Sequence, residues 1–552
     1  MTIHFSFIAA NLAIAATVLA IIVAAAVAIR PLLSLPPSVA SNQQPATSNT
    51  HHSPLSIQHS AFFTAPALAL SAGGFALIIF LFAALGWIGR PLWWPFAALL
   101  HLAIAGGLAL AQRRLSNCRL PLSTQDSALS TQHLALGTSH PWWRIAPALA
   151  FLAWAVASDL LKCFEPQFEA DALWYHLTLP KYWVDAHSLR PHPTLTVAGY
   201  PLLIEMLYTV PVSHGLPFAT RLIHLAFGVG IVLAIYGWLR FSPFFPLSTR
   251  HSALSTQESA LSAAGALAFA SAFFIFDPVN EVAAWAHTDL ARAFFMVCAA
   301  ACLATYADRG ERRDLLVAAI LSGFAMSTHY MAILFSNGLL TIAFIAARLR
   351  SQCGLPVLTQ DSALRTQHSQ PRSRASVQQI ARDLAIFWLV SLAVFAPWLL
   401  KNLILYGQPL YGVANTSFRV PSSRILSEFF LSNVSYIGFA LVALWLFARH
   451  SSEHGERLLA AYLVVYLLVG PFELPPIARF FLPVYAIGLM LAGRAAAPIV
   501  NARRWLEVAL PIVLLIGAIA TTSYQWQQHL YDAPLDFLLH HKPPAWDIIW
   551  HQ

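Results

Sequence analysis

Long apolar blocks separated by short polar segments run along the whole chain. The first block, residues 7–29, reads FIAANLAIAATVLAIIVAAAVAI and carries no charged side chain. Apolar runs of about 18 or more residues are typical of helices that cross a bilayer. The pattern therefore predicts an all-α polytopic membrane protein with about 12–14 transmembrane helices. The predicted spans are residues 7–29, 66–88, 92–112, 142–161, 217–239, 262–278, 288–306, 314–333, 335–348, 383–402, 430–448, 457–472, 480–494 and 506–523.

Composition and charge agree with a bilayer environment. Hydrophobic residues make up 58% of the chain and charged residues only 10%, whereas soluble domains carry about 25% charged residues. The net charge of +8 comes from arginines in short loops, which predict those loops to be cytoplasmic. A nucleic-acid-binding protein would instead gather its basic residues on one face. The opposite side of the membrane is then predicted to hold residues 162–216, 279–287, 403–429, 473–479 and 524–552.

A short sequence recurs in the predicted cytoplasmic loops. LSTQDSALSTQHLAL spans residues 122–136, and related segments lie at 247–262, 358–369 and 55–62. Their irregular spacing excludes a solenoid. We interpret them as insertions that flexible loops tolerate.

Charged and aromatic residues collect in the first long non-cytoplasmic loop, which reads FEADALWYHLTLPKYW from residue 168 to 183. We predict short interfacial helices here, broken at Pro180. Asp171, Trp174 and Tyr175 share one helical face by their spacing. Tryptophan and tyrosine favour the membrane interface, so the loop is expected to hold Asp171 near the level of the lipid headgroups.

A second acidic segment, FDPVNEVAAWAHTDLARAFF, follows on the same predicted side and contains Asp277, Glu281, His287 and Asp289. Asp289 opens a predicted helix, where the helix dipole favours an anion. Charged residues at the end of a span can also simply reach water. Because both acidic loops lie on one side of the membrane, we expect them to converge on one cavity.

Five segments give the chain a resemblance to a known family. In chain order they are EADALWYHLTLPKYW (169–183), GYPLLIEMLY (199–208) with ATRLIHLAFGVGIVLAIYGWL (219–239), HTDLARAFF (287–295), APWLLKNLILYGQPLYG (396–412) and ARFFLPVYAIGLMLAG (478–493). The chain resembles the polyprenyl-phosphate-dependent glycosyltransferases of the GT-C superfamily. Relatives there include protein O-mannosyltransferases, aminoarabinose transferases and rhizobial core transferases. The resemblance covers roughly residues 142–495.

The resemblance implies a site and a reaction. Asp171 matches the acid that acts as general base on an acceptor hydroxyl, and Asp289 matches a second acid that orients acceptor or metal. The leaving group would be a polyprenyl phosphate, and the anomeric centre would invert. Cationic side chains suit phosphate. The predicted substrate-binding residues are Glu169, Tyr175, His176, Lys181, Arg221, His287, Lys401 and Arg479.

The need for a divalent metal ion stays open. Many relatives carry an adjacent pair of acids in the first loop, whereas here Glu169 lies two residues before Asp171. In a regular helix these two side chains would face different ways.

The resemblance also implies an organisation and a location. Extra N-terminal transmembrane helices occupy residues 1–141, the catalytic core residues 142–495, and the last helix with a short external tail residues 496–552. The expected location is a bacterial inner or plasma membrane, with the active site on the non-cytoplasmic face. The expected partners are a polyprenyl-phosphate-linked sugar, an acceptor that is lipid, glycan or protein, and the bilayer, but no nucleic acid.

Two alternatives use related substrates. A transporter or flippase of lipid-linked saccharides should show broken helices in two corresponding halves, which the sequence lacks. A polysaccharide polymerase or ligase should place its chemistry in a large late external loop, whereas the acids here come early. The phosphate-binding pattern G-x-x-x-x-G-K-[ST] is absent from the sequence, which argues against an ATP-driven pump.

Overall fold

The structure, a computed structural model, describes residues 2–33, 64–117, 142–164, 169–241, 261–352, 376–411, 434–448, 454–473 and 478–528. All regular structure within these ranges is helical, so the predicted all-α class is confirmed. The recurring segments at 55–62, 122–136 and 358–369, nearly all of 247–262, and the tail beyond residue 528 lie outside the described residues.

Each predicted apolar block contains an α-helix. The α-helices are α1 (Thr2–Leu33), α2 (Thr64–Ala84), α3 (Trp93–Asn117), α4 (Ala146–Lys162), α5 (Thr178–Asp185), α6 (Leu203–Val212), α7 (Phe218–Phe241), α8 (Ala263–Ser271), α9 (Asp277–Ala283), α10 (Asp289–Arg309), α11 (Arg312–Thr328), α12 (Leu339–Gln352), α13 (Val377–Tyr406), α14 (Val434–Ala448), α15 (His454–Glu473), α16 (Leu482–Ala502) and α17 (Leu506–Gln528).

Seven helices in the described ranges are long and apolar enough to cross a membrane. They fit a multi-pass helical protein in a lipid bilayer. An eighth span is obtained if Ala263–Ile275 and Asp277–Ala283, which meet at 72°, are counted together. The helices at the other predicted spans are too short or too charged to be counted as candidate spans by length and composition. The seven candidate spans are Ser6–Leu33, Thr64–Ala84, Trp93–Gln112, Phe218–Arg240, Asp289–Arg309, Val377–Tyr406 and Ala478–Ala502.

The predicted span 262–278 is not one straight helix. A short 3₁₀ turn, Ala272–Ile275, ends the first part, and α9 begins at Asp277. Pro278 stands in the first turn of α9, where a residue without a backbone N–H is tolerated but could not continue a preceding helix. After this bend, α9 is followed by the segment that leads to His287.

Helix α10 forms the centre of the fold. It packs against α7, α11, α15 and α16, and its residues 289–307 are all buried. Many of its residues are alanines, which let neighbouring helices approach closely. Cys298 and Cys302 are buried in it as free thiols.

The N-terminal helices are attached to this bundle. α1, α2 and α3 pack on one another, and α2 also contacts α6 and α7. The side-chain oxygen of Asn11 accepts a hydrogen bond from the backbone N–H of Ala219 at 3.0 Å. Only 28% of the candidate span in α1 and 22% of that in α3 is buried inside the protein, which suits contact with lipid.

Candidate functional site

The first acidic loop folds as two short helical turns. Asp171 precedes a π-helical turn, Ala172–His176, and α5 follows after Leu177. The expected break at Pro180 is wrong, because Pro180 lies in the first turn of α5, where a backbone N–H has no helical partner to lose. π-helical turns occur frequently at functional sites.

Glu169 and Asp171 face a common space, contrary to the expectation from regular helical spacing. Glu169 stands before the helical turn, and its Oε2 accepts a hydrogen bond from the backbone N–H of Ala172 at 2.8 Å. Glu169 therefore caps the N-terminus of this helical turn. Because Glu169 lies outside the turn, the regular spacing of helical side chains does not determine which way its carboxylate faces. Both carboxylates reach Arg479.

Arg479 joins three carboxylates from distant parts of the chain. It lies in the 3₁₀ turn Ala478–Phe481 and forms an ion pair with Asp171. Its Nη1 is 3.7 Å from Glu169 Oε1, and its Nε is 3.8 Å from Asp289 Oδ2. The predicted convergence of the two acidic loops is therefore observed.

His287 bridges two of these carboxylates. Its Nε2 lies 2.5 Å from Glu169 Oε2, and its Nδ1 lies 3.2 Å from Asp289 Oδ2. Burial alone would lower the pKa of His287, but hydrogen bonds to Asp289 and Glu169 raise it above its ordinary value. Burial alone would likewise raise the pKa of Glu169, but His287 lowers it to about 2. The favoured state is an imidazolium between carboxylates.

One contact of His287 opposes this charge. Arg479 Nη1 lies 3.3 Å from Nδ1 of His287, and a protonated nitrogen accepts no hydrogen bond. Glu169 and Asp289 favour the protonated ring more strongly than Arg479 opposes it, because each carboxylate makes a closer contact with the ring. These side chains form one charged cluster, which holds three negative and three positive groups. The negative groups are Glu169, Asp171 and Asp289. The positive groups are His287, Arg479 and Arg292.

Arg292 is a functional candidate that is missing from the predicted site residues. It is 1% exposed, its Nη2 donates to Asp289 Oδ1 at 2.9 Å, and its guanidinium lies 5.0 Å from the ring centroid of Phe480. Its Nε and Nη1 have no hydrogen-bond partner among the described residues. Two buried donors are thus left for an anion.

A second layer stands behind the cluster. His176 Nδ1 is 2.7 Å from Glu205 Oε1, and the His176 ring lies 5.1 Å from that of His287. The Tyr175 ring packs on His176 at 4.0 Å. Glu205 is missing from the predicted site. Its signal was a lone acid in the apolar segment GYPLLIEMLY.

Three predicted substrate-binding cations contact protein groups outside the cluster. Lys181 pairs with Asp185 at 2.7 Å on the surface. Buried Arg221 donates to the carbonyl of Cys163 at 3.1 Å, and Lys401 donates to that of Ala198 at 2.7 Å. Their contact with a substrate stays a prediction.

Three residues of the cluster could also hold a metal ion. Glu169, Asp171 and His287 each offer a donor atom, and these atoms lie within 4.8 Å of one another. Carboxylate and imidazole donors suit several divalent metals. Arg479 reaches the same carboxylates, so a bound cation and this guanidinium would compete for them.

Comparison with known proteins adds nothing to this geometry. No family model, no curated protein and no solved structure matches the chain.

Proposed function

We propose that the protein is an integral-membrane glycosyltransferase that moves a sugar from a polyprenyl phosphate to an acceptor hydroxyl and inverts the anomeric centre. The observation that carries the proposal is the meeting of Glu169, Asp171, His287, Asp289 and Arg479 from three distant chain segments. The proposal includes a GT-C-like core over residues 142–495, within a chain of about 12–14 spans. It places the cluster on the non-cytoplasmic face of a bacterial cell membrane.

Asp171 is the proposed general base. Its side chain is 29% exposed, compared with 15% for Glu169 and 9% for Asp289. An acceptor from water or from the membrane surface therefore reaches Asp171 most easily, and a base must come within hydrogen-bond reach of the proton it takes. The other two carboxylates are engaged with His287.

Arg292 and Arg479 are the proposed phosphate contacts. Arg292 has two buried donors without a partner among the described residues, and guanidinium groups bind phosphate with strong charge-assisted hydrogen bonds. Asp289 holds Arg292 in place. A site shielded from water strengthens such contacts and stabilises the charge that develops on the leaving phosphate.

The reaction follows from these positions. The acceptor oxygen attacks the anomeric carbon while its proton passes to a carboxylate oxygen of Asp171. The bond between the anomeric carbon and the phosphate oxygen breaks, and its electron pair leaves with the polyprenyl phosphate. Phosphate competes with Asp171 for Arg479, so donor binding would release the Asp171 carboxylate for proton transfer.

The test compares wild-type protein with Asp171→Asn in lipid. Both are offered labelled polyprenyl-phosphate sugars together with membrane extract as acceptor, and release of label is followed. We expect wild type to release label and Asp171→Asn to be at least about 100-fold slower, since positioned general bases contribute roughly that much. Asp185→Asn is the matched control, because Asp185 lies in the same loop but pairs with Lys181 on the surface.

Two results would count against the proposal. Equal turnover by wild type and Asp171→Asn would remove Asp171 from the mechanism. Binding of the labelled lipid, followed by its movement across the bilayer without release of sugar, would favour a flippase instead.

A further inference from the structure

The α2–α3 turn, residues 85–92, lies against the end of the loop that carries Asp171. It belongs to the N-terminal helices, to which the proposed reaction gives no role. The backbone N–H of Leu189, just after α5, donates to the carbonyl of Ala83 in the last turn of α2 at 3.3 Å. Nδ1 of His187 donates to the carbonyl of Ile88 at 3.0 Å. Two hydrogen bonds therefore join the N-terminal helices to this loop.

The closest approach of the two segments is at Gly89. A Cβ at Gly89 would collide with the carbonyl oxygen of Val184 and would lie 2.9 Å from Nδ1 of His187. The Val184 carbonyl would have to move by about 1 Å to reach ordinary contact. The turn itself is anchored, because Ile88 is completely buried. The end of α5 thus fits against the turn only because position 89 has no side chain.

His187 is held in a backbone conformation that is uncommon for a residue with a side chain. Its φ of 56° lies in the left-handed region, as does the φ of 61° at Leu92 in the turn. Few residues other than glycine occupy this region. They keep such a conformation where surrounding contacts impose it. The bond from His187 to Ile88 is one of those contacts.

Helix α5 connects this contact directly to Asp171. The π-helical turn Ala172–His176 begins next to Asp171, and Leu177, which has right-handed helical backbone angles, links that turn to α5. The backbone N–H of Leu177 donates to the carbonyl of Ala172 at 3.0 Å, and that of Lys181 donates to the carbonyl of Leu177 at 3.1 Å. The helical backbone therefore passes a displacement at the end of α5 on to Asp171.

We propose that the α2–α3 turn is a positioning element of the active site, which fixes the end of α5 and, through it, the place of Asp171 beside Arg479. Gly89 and His187 are its positioning residues, and they act through the backbone of α5. The effect on turnover rests on the proposed function, whereas the effect on the loop does not. The N-terminal helices thereby have a part in the reaction.

Gly86 supplies a matched control for Gly89. Both glycines have a positive φ, but a Cβ at Gly86 would be in ordinary contact, 3.7 Å from the carbonyl oxygen of His187. Alanine therefore brings similar backbone strain to both positions and the collision to position 89 alone. Amide hydrogen exchange over residues 172–187 of the full chain in lipid should rise at least about tenfold in Gly89→Ala and at most about twofold in Gly86→Ala. Equal exchange in the two variants overturns the proposal.

His187 gives a second test, which removes a contact instead of adding a collision. His187→Ala loses the donor to Ile88. Asparagine can place its Nδ2 near the position of the histidine Nδ1, and it tolerates the left-handed region. His187→Ala should therefore raise exchange over residues 172–187 at least about tenfold, and His187→Asn should stay within about twofold of wild type. This pair decides the question if Gly89→Ala does not fold, and unchanged exchange in His187→Ala contradicts the proposal.

Turnover distinguishes positioning from simple stabilisation. A misplacement of about 1 Å can cost about 100-fold in rate, so the kcat of Gly89→Ala should fall at least about tenfold, while Gly86→Ala keeps the wild-type kcat. The KM for the labelled polyprenyl-phosphate sugar should stay within about threefold, because Arg292 and Arg479 lie on other elements.

Two further results separate the possible failures. A lower melting temperature of Gly89→Ala with unchanged exchange and unchanged kcat would make the turn a structural support only, against the proposal. If wild type transfers no sugar at all, the proposed function fails, while the exchange results still decide whether the turn holds α5.

Discussion

At the scale of single residues, the charged side chains of the cluster can be buried because each lies next to a group of opposite charge. Arg292 and His287 are each 1% exposed, and a lone charge at such a depth would be strongly destabilising. Asp289 contacts both of them, at 2.9 Å and 3.2 Å. Removing one member therefore leaves a partner unpaired.

The protonation of His287 gives the stability of the protein a pH dependence. Its pKa in the fold is raised above the ordinary value of about 6.5. The stabilisation is therefore complete below about pH 6.5 and is lost as pH rises through the folded pKa. Thermal unfolding in detergent should show wild type losing stability as the pH rises above about 6.5, and His287→Asn should lose most of this slope.

The control for this pH series is His214→Asn, because His214 is exposed just after α6. It should keep the wild-type slope. A wild-type curve that is flat over the same range, or one that His287→Asn leaves unchanged, contradicts an imidazolium at this position.

At the scale of elements, the C-terminal end of α13 holds the loop that precedes α6. Lys401 Nζ donates to the carbonyl of Ala198 at 2.7 Å, and Asn402 Nδ2 donates to that of Gly199 at 2.7 Å. A Cβ at Gly199 would collide with Tyr411. The backbones approach closely here, so the loop and helix act as one unit.

Loss of this attachment should loosen the loop. Lys401→Met removes the donor to Ala198, so amide hydrogen exchange over residues 195–202 should rise at least about tenfold. Asn402→Ala, which removes the neighbouring donor, should act in the same direction. If Lys401→Met instead leaves exchange unchanged and weakens binding of the labelled polyprenyl phosphate, Lys401 is the phosphate ligand that the sequence predicted.

The sequence predicted the helices better than it predicted their interruptions. Every predicted apolar block contains an α-helix among its described residues, since a bilayer leaves the backbone few other ways to satisfy its hydrogen bonds. The role of Pro180 and the bend before Asp277 both depend on the residue at which a helix begins. The pattern of apolar residues does not determine that residue. Glu205 was missed because one acid in an apolar stretch carries no periodic signal.

Contacts between distant segments were the least accessible to sequence reasoning. The sequence singled out Asp171 and Arg479 separately, but their ion pair joins positions 308 residues apart. No local pattern encodes such a distance. The shared side of the membrane predicted that the two acidic loops would meet, and that part was right.

At the scale of the whole molecule, the sidedness of the helices is open to a direct test. Asp185 is 60% exposed in the loop that carries Asp171, and Arg312 is exposed at the start of α11. The distribution of arginines predicts these positions on opposite sides. In a cysteine-free background, a membrane-impermeant maleimide added outside intact cells should label Asp185→Cys and not Arg312→Cys.

Permeabilised cells supply the control for this labelling, since both cysteines should then react. Labelling of Arg312→Cys from outside, with Asp185→Cys protected, would reverse the orientation. Labelling of both in intact cells would contradict the predicted alternation of the intervening spans.

The ion pair of Asp171 with Arg479 has a consequence for how the protein is made. Synthesis proceeds from the N-terminus, so the ribosome delivers all three carboxylates to the membrane long before their shared guanidinium, which comes 308 residues after Asp171. Until then the nascent chain carries acids without this partner. A chain that stalls or inserts wrongly before residue 479 stays in that state. The cluster can therefore close only after residue 479 has been made.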